Sequence, residues 1–118
     1  CSSDLSGGYA QSISLLKRPN RPTAIFAGSD LQAMGVYEAA RQLGLRIPED
    51  LSVVGFDDVQ TAAFLGPALT TVRQPLQDMA RAAVRMLIEA LSTDDVIQPH
   101  IIMPTSLVVR NSTQQLEG

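Results

Sequence analysis

"TAIFAGSDLQAMGVYEAARQLGLRIPEDLSVVGFDD", Thr23 to Asp58, contains one pattern twice: a short apolar run that ends against acidic residues. The first run, Thr23 to Ala27, follows Pro19 and Pro22, which stop a helix, and it reads as a strand. From Leu31 to Leu43 the apolar positions Ala33, Val36, Tyr37 and Ala40 form one stripe, with Arg41 and Gln42 off it. That spacing predicts a helix, and Gly44 stands where a helix terminator belongs. "LRIPED" is a turn-rich connection into a second strand, "LSVVGF". Strand, helix and strand joined by short links fit a right-handed parallel crossover, so the fold class is α/β.

Working outward, "DLSGGYAQSISLL" places Leu5, Tyr9, Ile13 and Leu16 at helical spacing behind a cap at Asp4, despite two glycines. Beyond Asp58, "VQTAAFL" reads as one short helix, "GPA" breaks it, and "LTTV" at 69–72 is a third strand ended by Pro75. The clearest amphipathic helix is "LQDMARAAVRMLIEAL", apolar at 76, 79, 80, 83, 84, 87, 88 and 91, with Arg81 and Arg85 on the other side. "STDDVIQP" is a loop, "HIIM" and "TSLVVR" read as strands separated by Pro104, and a polar tail runs from Asn111.

Composition narrows the function. The chain has 118 residues, about one domain, and is 45% hydrophobic and 18% charged, which argues against disorder. Nine Lys and Arg against 12 Asp and Glu give 9 − 12 = −3, with no basic stripe to follow a phosphate backbone. Cys1 is the single cysteine and cannot form an internal disulfide, so a reducing cytoplasm is the default. No apolar run approaches the roughly 18 to 20 residues that cross a bilayer, and no membrane partner is expected. The chain lacks GxGxxG, GxxxxGK[ST] and GxSxG, and Cys1 and His100 offer neither metal nor triad spacing. His100 reads as a strand residue, and neither a cofactor nor catalysis is expected. A phospho-acceptor receiver domain is also α/β, but it needs an acidic pair after its first strand and a late lysine. Here "GSD" follows the first strand and no lysine follows Lys17.

In open α/β sheets ligands sit outside the carboxyl ends of the strands, which makes Ser29, Asp30, Asp57 and Asp58 candidates to face one site. The competing reading for Ser29 and Asp30 is capping of the helix at Leu31. For Asp57 and Asp58 it is turn formation and capping of a short helix near Gln60.

"RPTAIFAGSDLQAMGVYEAARQLGLRIPEDLSVVGFDD", followed by "PALTTVRQP", closely resembles the carboxyl-terminal part of transcription regulators of the lactose-repressor/galactose-repressor family, over roughly Gly8 to Asn111. The resemblance implies a periplasmic-binding-protein-like, doubly wound module of two lobes, preceded in the family by a helix-turn-helix DNA reader. Residues 1–72 and 105–110 would be a partial C-terminal lobe and residues 73–104 a segment of the N-terminal lobe, with the DNA-binding domain absent from this chain. Asp57 matches the family's cleft-facing carboxylate, which suits polyol recognition because its two oxygens take several donors. Ser29 stands where the family often has Asn, and Gln74 matches a position that reaches the ligand in related sugar binders. Asp58 is expected to be structural.

The family also dimerises through this lobe, which makes Met34, Phe64 and Leu65 candidates for a homodimer interface, the alternative being plain core residues. The helix from Leu76 would expose its apolar stripe unless something covers it, so self-association is expected. The function implied is the effector-sensing region, for a small and sugar-like molecule, of a cytoplasmic DNA-binding regulator that meets DNA only through the domain absent here. The alternative is a periplasmic or lipid-anchored sugar-binding protein, for which "CSSD" would be a processed lipoprotein start. It ranks lower because the chain enters a second-lobe helix almost immediately.

Overall fold

The computed structural model describes residues 5–92 and 102–115. The chain divides into two compact units, Cys1–Arg73 with Leu107–Gly118, and Gln74–Ser106. The expected cap at Asp4, His100 and most of the loop at 92–99 lie outside the described residues.

The first unit carries α1 (Leu5–Leu16), β1 (Ala24–Phe26), α2 (Asp30–Gln42), β2 (Ser52–Asp57), a 3₁₀ turn (Gln60–Phe64) and β3 (Thr70–Arg73). A short strand β4 (Ser106–Val108) completes a sheet in the order β1-β2-β3-β4. β1 pairs parallel with β2, with Ile25 opposite Val53, and β2 pairs parallel with β3, with Gly55 opposite Thr71. The α/β class and the parallel crossovers are therefore as the alternating pattern predicted.

The ends of α2 follow from their chemistry. Ser29 Oγ accepts the Gln32 amide at 3.1 Å, satisfying one of the orphan donors of the first turn. At the other end Gly44 takes φ +72°, a conformation that glycine adopts without a Cβ penalty. Its amide donates to Arg41 O and the Leu45 amide to Ala40 O, which satisfies two terminal carbonyls and brings Leu45 onto the core.

The core is made of small and medium side chains. Ala33, Val36, Ala39 and Ala40 of α2, Leu51 and Val53 entering and within β2, and Leu69 before β3 are all buried. Leu51, Val53 and Leu69 are fully inaccessible, and burying each such side chain gains about 1.5–3 kcal/mol.

The glycine of α1 that weakened its reading as a helix is what packs it. A Cβ on Gly8 would lie 2.8 Å from Gln32 Cα, and one on Gly35 would lie 2.9 Å from Gly8 C. The two helices thus meet backbone to backbone, with buried Gly8, Ser12 and Leu16 on the contact face of α1. Leu5, expected on the apolar stripe, is 43% exposed instead.

The expected polar tail is a correction. Ser112 is fully buried: its Oγ donates to Val53 O at 2.6 Å and accepts the Thr70 amide at 2.8 Å, while its carbonyl accepts the Val53 amide at 2.9 Å. Three otherwise orphaned groups at the starts of β2 and β3 are satisfied by this one residue, which composition alone marked as solvent-facing.

The second unit holds α3 (Leu76–Ser92), none of whose residues is buried; Leu87 is 61% and Leu91 81% exposed. Met79, Ala82, Ala83 and Met86 line a cavity of about 300 Å³ with Met103 and Thr105. The expected strand "HIIM" is not seen where it is described, at residues 102 and 103. Prolines flank this stretch, and Pro104 removes the amide that a ladder would need.

Candidate functional site

Parallel pairing puts the carboxyl ends of β1, β2 and β3 on one edge of the sheet. The ladder runs one step beyond β1, the Ala27 amide donating to Val54 O at 2.7 Å. Ser29 follows two residues later, and Asp57 lies three residues beyond Val54, opposite Arg73 in the register. Ser29 and Asp57 therefore emerge at the same end.

Asp30 is a correction on both readings given to it, since it neither faces a ligand nor caps α2. Its side chain is fully buried. Oδ2 accepts the Val59 amide at 2.7 Å, and Oδ1 accepts the Thr71 hydroxyl at 2.6 Å. The carboxylate ties the start of α2 to the loop after β2 and to β3. Gly55 makes room for it: a Cβ there would fall inside contact distance of Asp30 Oδ1 and 2.9 Å from Leu69 Cδ2.

Ser29 does the capping, and its Oγ, accepting from Gln32, keeps a hydroxyl proton to donate elsewhere. Gly28 beside it donates its amide to Gln32 Oε1 at 2.9 Å, so the β1–α2 turn is held by both side chains.

The two neighbouring aspartates at the end of β2 share one backbone feature and differ in their partners. Asp57 has φ +110° and Asp58 φ +57°, consecutive left-handed residues that are not glycine. Such conformations cost about 1–3 kcal/mol each and persist where the surroundings over-determine them, typically around functional sites. The Asp58 side chain, 8% exposed, accepts from Arg73 Nε at 2.7 Å and from Arg110 NH2 at 2.8 Å. Burial pushes its carboxyl up, but the hydrogen bonds from Arg73 and Arg110 outweigh that and hold it below the usual carboxylate range. Arg110 is itself fixed, its NH1 donating to Leu69 O at 2.9 Å and its amide to Thr70 Oγ1 at 2.9 Å. Asp57 is half-buried at the tip of the strand.

Gln74 begins the second unit, where it lines the cavity of Met79 and Met103. The interface candidates differ among themselves. Phe64 is 83% exposed, Met34 is half-buried, and Leu65, partly buried, packs against the core. Sequence reasoning missed Arg110 and Thr71. The signal for Arg110 was an arginine closing the apolar run "SLVV"; nothing local marked Thr71, whose partner lies 41 residues away.

Among the described residues no group of three His, Cys, Asp or Glu side chains is arranged to hold a metal ion, and no helix is long and apolar enough to cross a membrane.

The model of the periplasmic binding protein-like domain matches residues 3–113. An uncharacterized HTH-type transcriptional regulator from the aml 5′ region of Streptomyces limosus is 49% identical over 111 residues, covering 94% of this chain and 31% of that protein. Among solved structures, a LacI family transcriptional regulator from Enterococcus faecalis V583 with bound ribose superposes with a TM-score of 0.89 at 32% identity, over 97% of this chain and 42% of that one. The lac repressor dimer bound to operator and the anti-inducer ONPF gives a TM-score of 0.85 at 32% identity, over 93% and 38%. The chain thus spans about a third of the length of the curated relatives it matches. It belongs to the periplasmic binding protein-like domain family, in the form carried by LacI-family transcription regulators.

Proposed function

We propose that this chain is the effector-sensing part of a sugar-responsive, DNA-binding transcription regulator, and that Asp57 is its principal ligand contact, with Ser29 and Gln74 as further polar contacts. The observation that carries the reading is the left-handed backbone of Asp57 at the carboxyl end of a parallel strand, on the sheet edge where β1 and β3 also end. A carboxylate displayed in this way accepts several hydroxyl donors at once, and the ribose-bound relative supports a polyol ligand. The chain binds and does not catalyse. In the lobe arrangement we favour, residues 1–72 and 105–110 belong to the C-terminal lobe and residues 73–104 to the N-terminal one. DNA is reached through a separate domain, consistent with the net charge of −3, and the protein works in the cytoplasm where operator DNA is. It acts as a homodimer in which Phe64 and Met34 meet the partner copy, with Leu65 supporting them from the core. The HTH-type relatives favour this over a periplasmic or lipid-anchored transport protein.

Calorimetric titration of the full-length protein with pentoses, hexoses and disaccharides tests the reading. Asp57→Ala is expected to weaken the best sugar by roughly ten- to a hundredfold, the loss of one charge-assisted hydrogen bond. Undiminished affinity in that variant would remove Asp57 from the site, and a wild type that binds none of the sugars would remove the ligand class.

A further inference from the structure

The conformation of Asp57 needs a cause. Two consecutive non-glycine residues at positive φ do not persist on local preference, although Asp tolerates the left-handed region better than most residues. On the amino-terminal side Asp57 is fixed by the β2 ladder, opposite Arg73. On the other side the chain is held at two successive points. The Asp58 carboxylate is gripped by Arg73 and Arg110, and the Val59 amide by Asp30.

The two arginines are not equivalent. The Arg73 side chain is 56% exposed, so water and salt compete with its contact, whereas that of Arg110 is 17% exposed and anchored by a second bond from NH1 to Leu69 O. Arg110 therefore supplies the rigid half of the grip, and it stands on the segment that also pins β3 through Thr70.

We propose that Asp58 and Arg110 are positioning residues: their ion pair holds Asp57 in its left-handed geometry and so aims the Asp57 carboxylate at the effector. This rests on the reading of Asp57 as the effector contact. Without the grip, the residue is free to relax toward ordinary strand geometry, and the binding-competent fraction falls. Apparent affinity falls in the same proportion, so a competent fraction reduced to about a tenth weakens binding about tenfold.

The test uses the full-length protein with Asp57→Asn, Asp58→Asn and the double variant. Two readouts are taken: amide hydrogen exchange, and calorimetric affinity for ribose and for the best sugar of the panel above. Asp58→Asn is expected to speed exchange over residues 57–59 about tenfold while the interior of α2 is unchanged, local opening of the kind that exchange resolves. It is expected to weaken sugar binding about tenfold in the wild-type background and to change it little in the Asp57→Asn background, because it acts through Asp57. A stabilising role alone would lower the thermal midpoint equally in both backgrounds and would leave the affinity losses additive. Should Asp58→Asn fail to fold, Arg110→Met and Arg110→Lys replace it, the lysine keeping the charge and returning exchange and affinity toward wild type. Unchanged exchange at 57–59, or equal affinity losses in the two backgrounds, overturns the proposal. A wild type that binds no sugar refutes the functional reading instead, and exchange then decides the grip by the same criterion.

Discussion

Asp30→Ala is the substitution whose consequence the structure sets most firmly. The side chain is fully buried, and each carboxylate oxygen accepts one short hydrogen bond, from the Val59 amide and from the Thr71 hydroxyl. Hydrogen bonds to a charged group contribute about 1.5–3 kcal/mol apiece, so losing both costs roughly 3–6 kcal/mol, with the Thr71 hydroxyl left buried and unpaired. Against a total stability of about 5–15 kcal/mol that is a large share. Asp30→Asn is the informative contrast. Its amide oxygen accepts the Val59 amide while its NH₂ donates to Thr71 Oγ1, whose hydroxyl can turn to accept, so both contacts survive as neutral bonds. The cost drops to about 1–3 kcal/mol, the difference between two charged and two neutral hydrogen bonds. Urea unfolding at neutral pH gives both values from the midpoints at constant slope. Gly55→Ala completes the cycle. Its Cβ collides with Asp30 Oδ1, so it should destabilise by about 1–3 kcal/mol in the wild type and less in Asp30→Ala, where Leu69 Cδ2 and the residue-30 Cα remain close but the carboxylate is gone. An Asp30→Ala protein within about 1 kcal/mol of wild type would show that the start of α2, the loop after β2 and β3 are held together by something other than this carboxylate.

Two further predictions concern stability. Gly35→Ala should destabilise by about 1–3 kcal/mol in thermal or urea unfolding even though alanine favours helix by about 1 kcal/mol, because its Cβ meets the backbone of Gly8 and neither helix can yield locally. Asp58, with a carboxyl held below its unfolded value near 3.9, contributes stability that is fully present above that pH and is lost as pH falls through the lower folded value. Acid titration of the urea midpoint should therefore show a decline below about pH 4 that is shallower in Asp58→Asn.

What the sequence disclosed was periodic or punctuated. Ala33, Val36 and Ala40 repeat at helical spacing, Gly44 ends that helix in the conformation glycine permits, and the apolar runs at 23–27, 51–56 and 69–72 are all strands or lead into them. What it concealed was paired over long separations. Ser112 looks like tail residue next to Asn111 and Thr113, yet its partners Val53 and Thr70 lie 59 and 42 residues away. Asp30 looked like half of a capping pair, but the adjacent serine took the cap, and its carboxylate went to Thr71. Gly8 read as a weakness in α1, and Gly35 drew no comment in α2, because the contact that explains both joins the helices to each other. Single-sequence reasoning sees one member of such a pair at a time, and each member alone has a commoner explanation.

The string "GFDD" stands out in the sequence because its positions answer to different partners. Gly55 is demanded by Asp30, which occupies the space a Cβ would take, and Asp58 is demanded by Arg110, whose mostly buried side chain would otherwise reach the strand end without its carboxylate. Changing either one is therefore a change to the fold, with the site following. Asp57 lies between them, on a backbone held in the β2 ladder on one side and by Asp58 and Val59 on the other. Asparagine also tolerates that backbone, so Asp57→Asn should fold normally and differ mainly in what it binds. Adjacent residues with the same side chain thus have separable roles: at Asp58 the carboxylate is a tether, and at Asp57, under the function proposed above, it is the group offered to the effector.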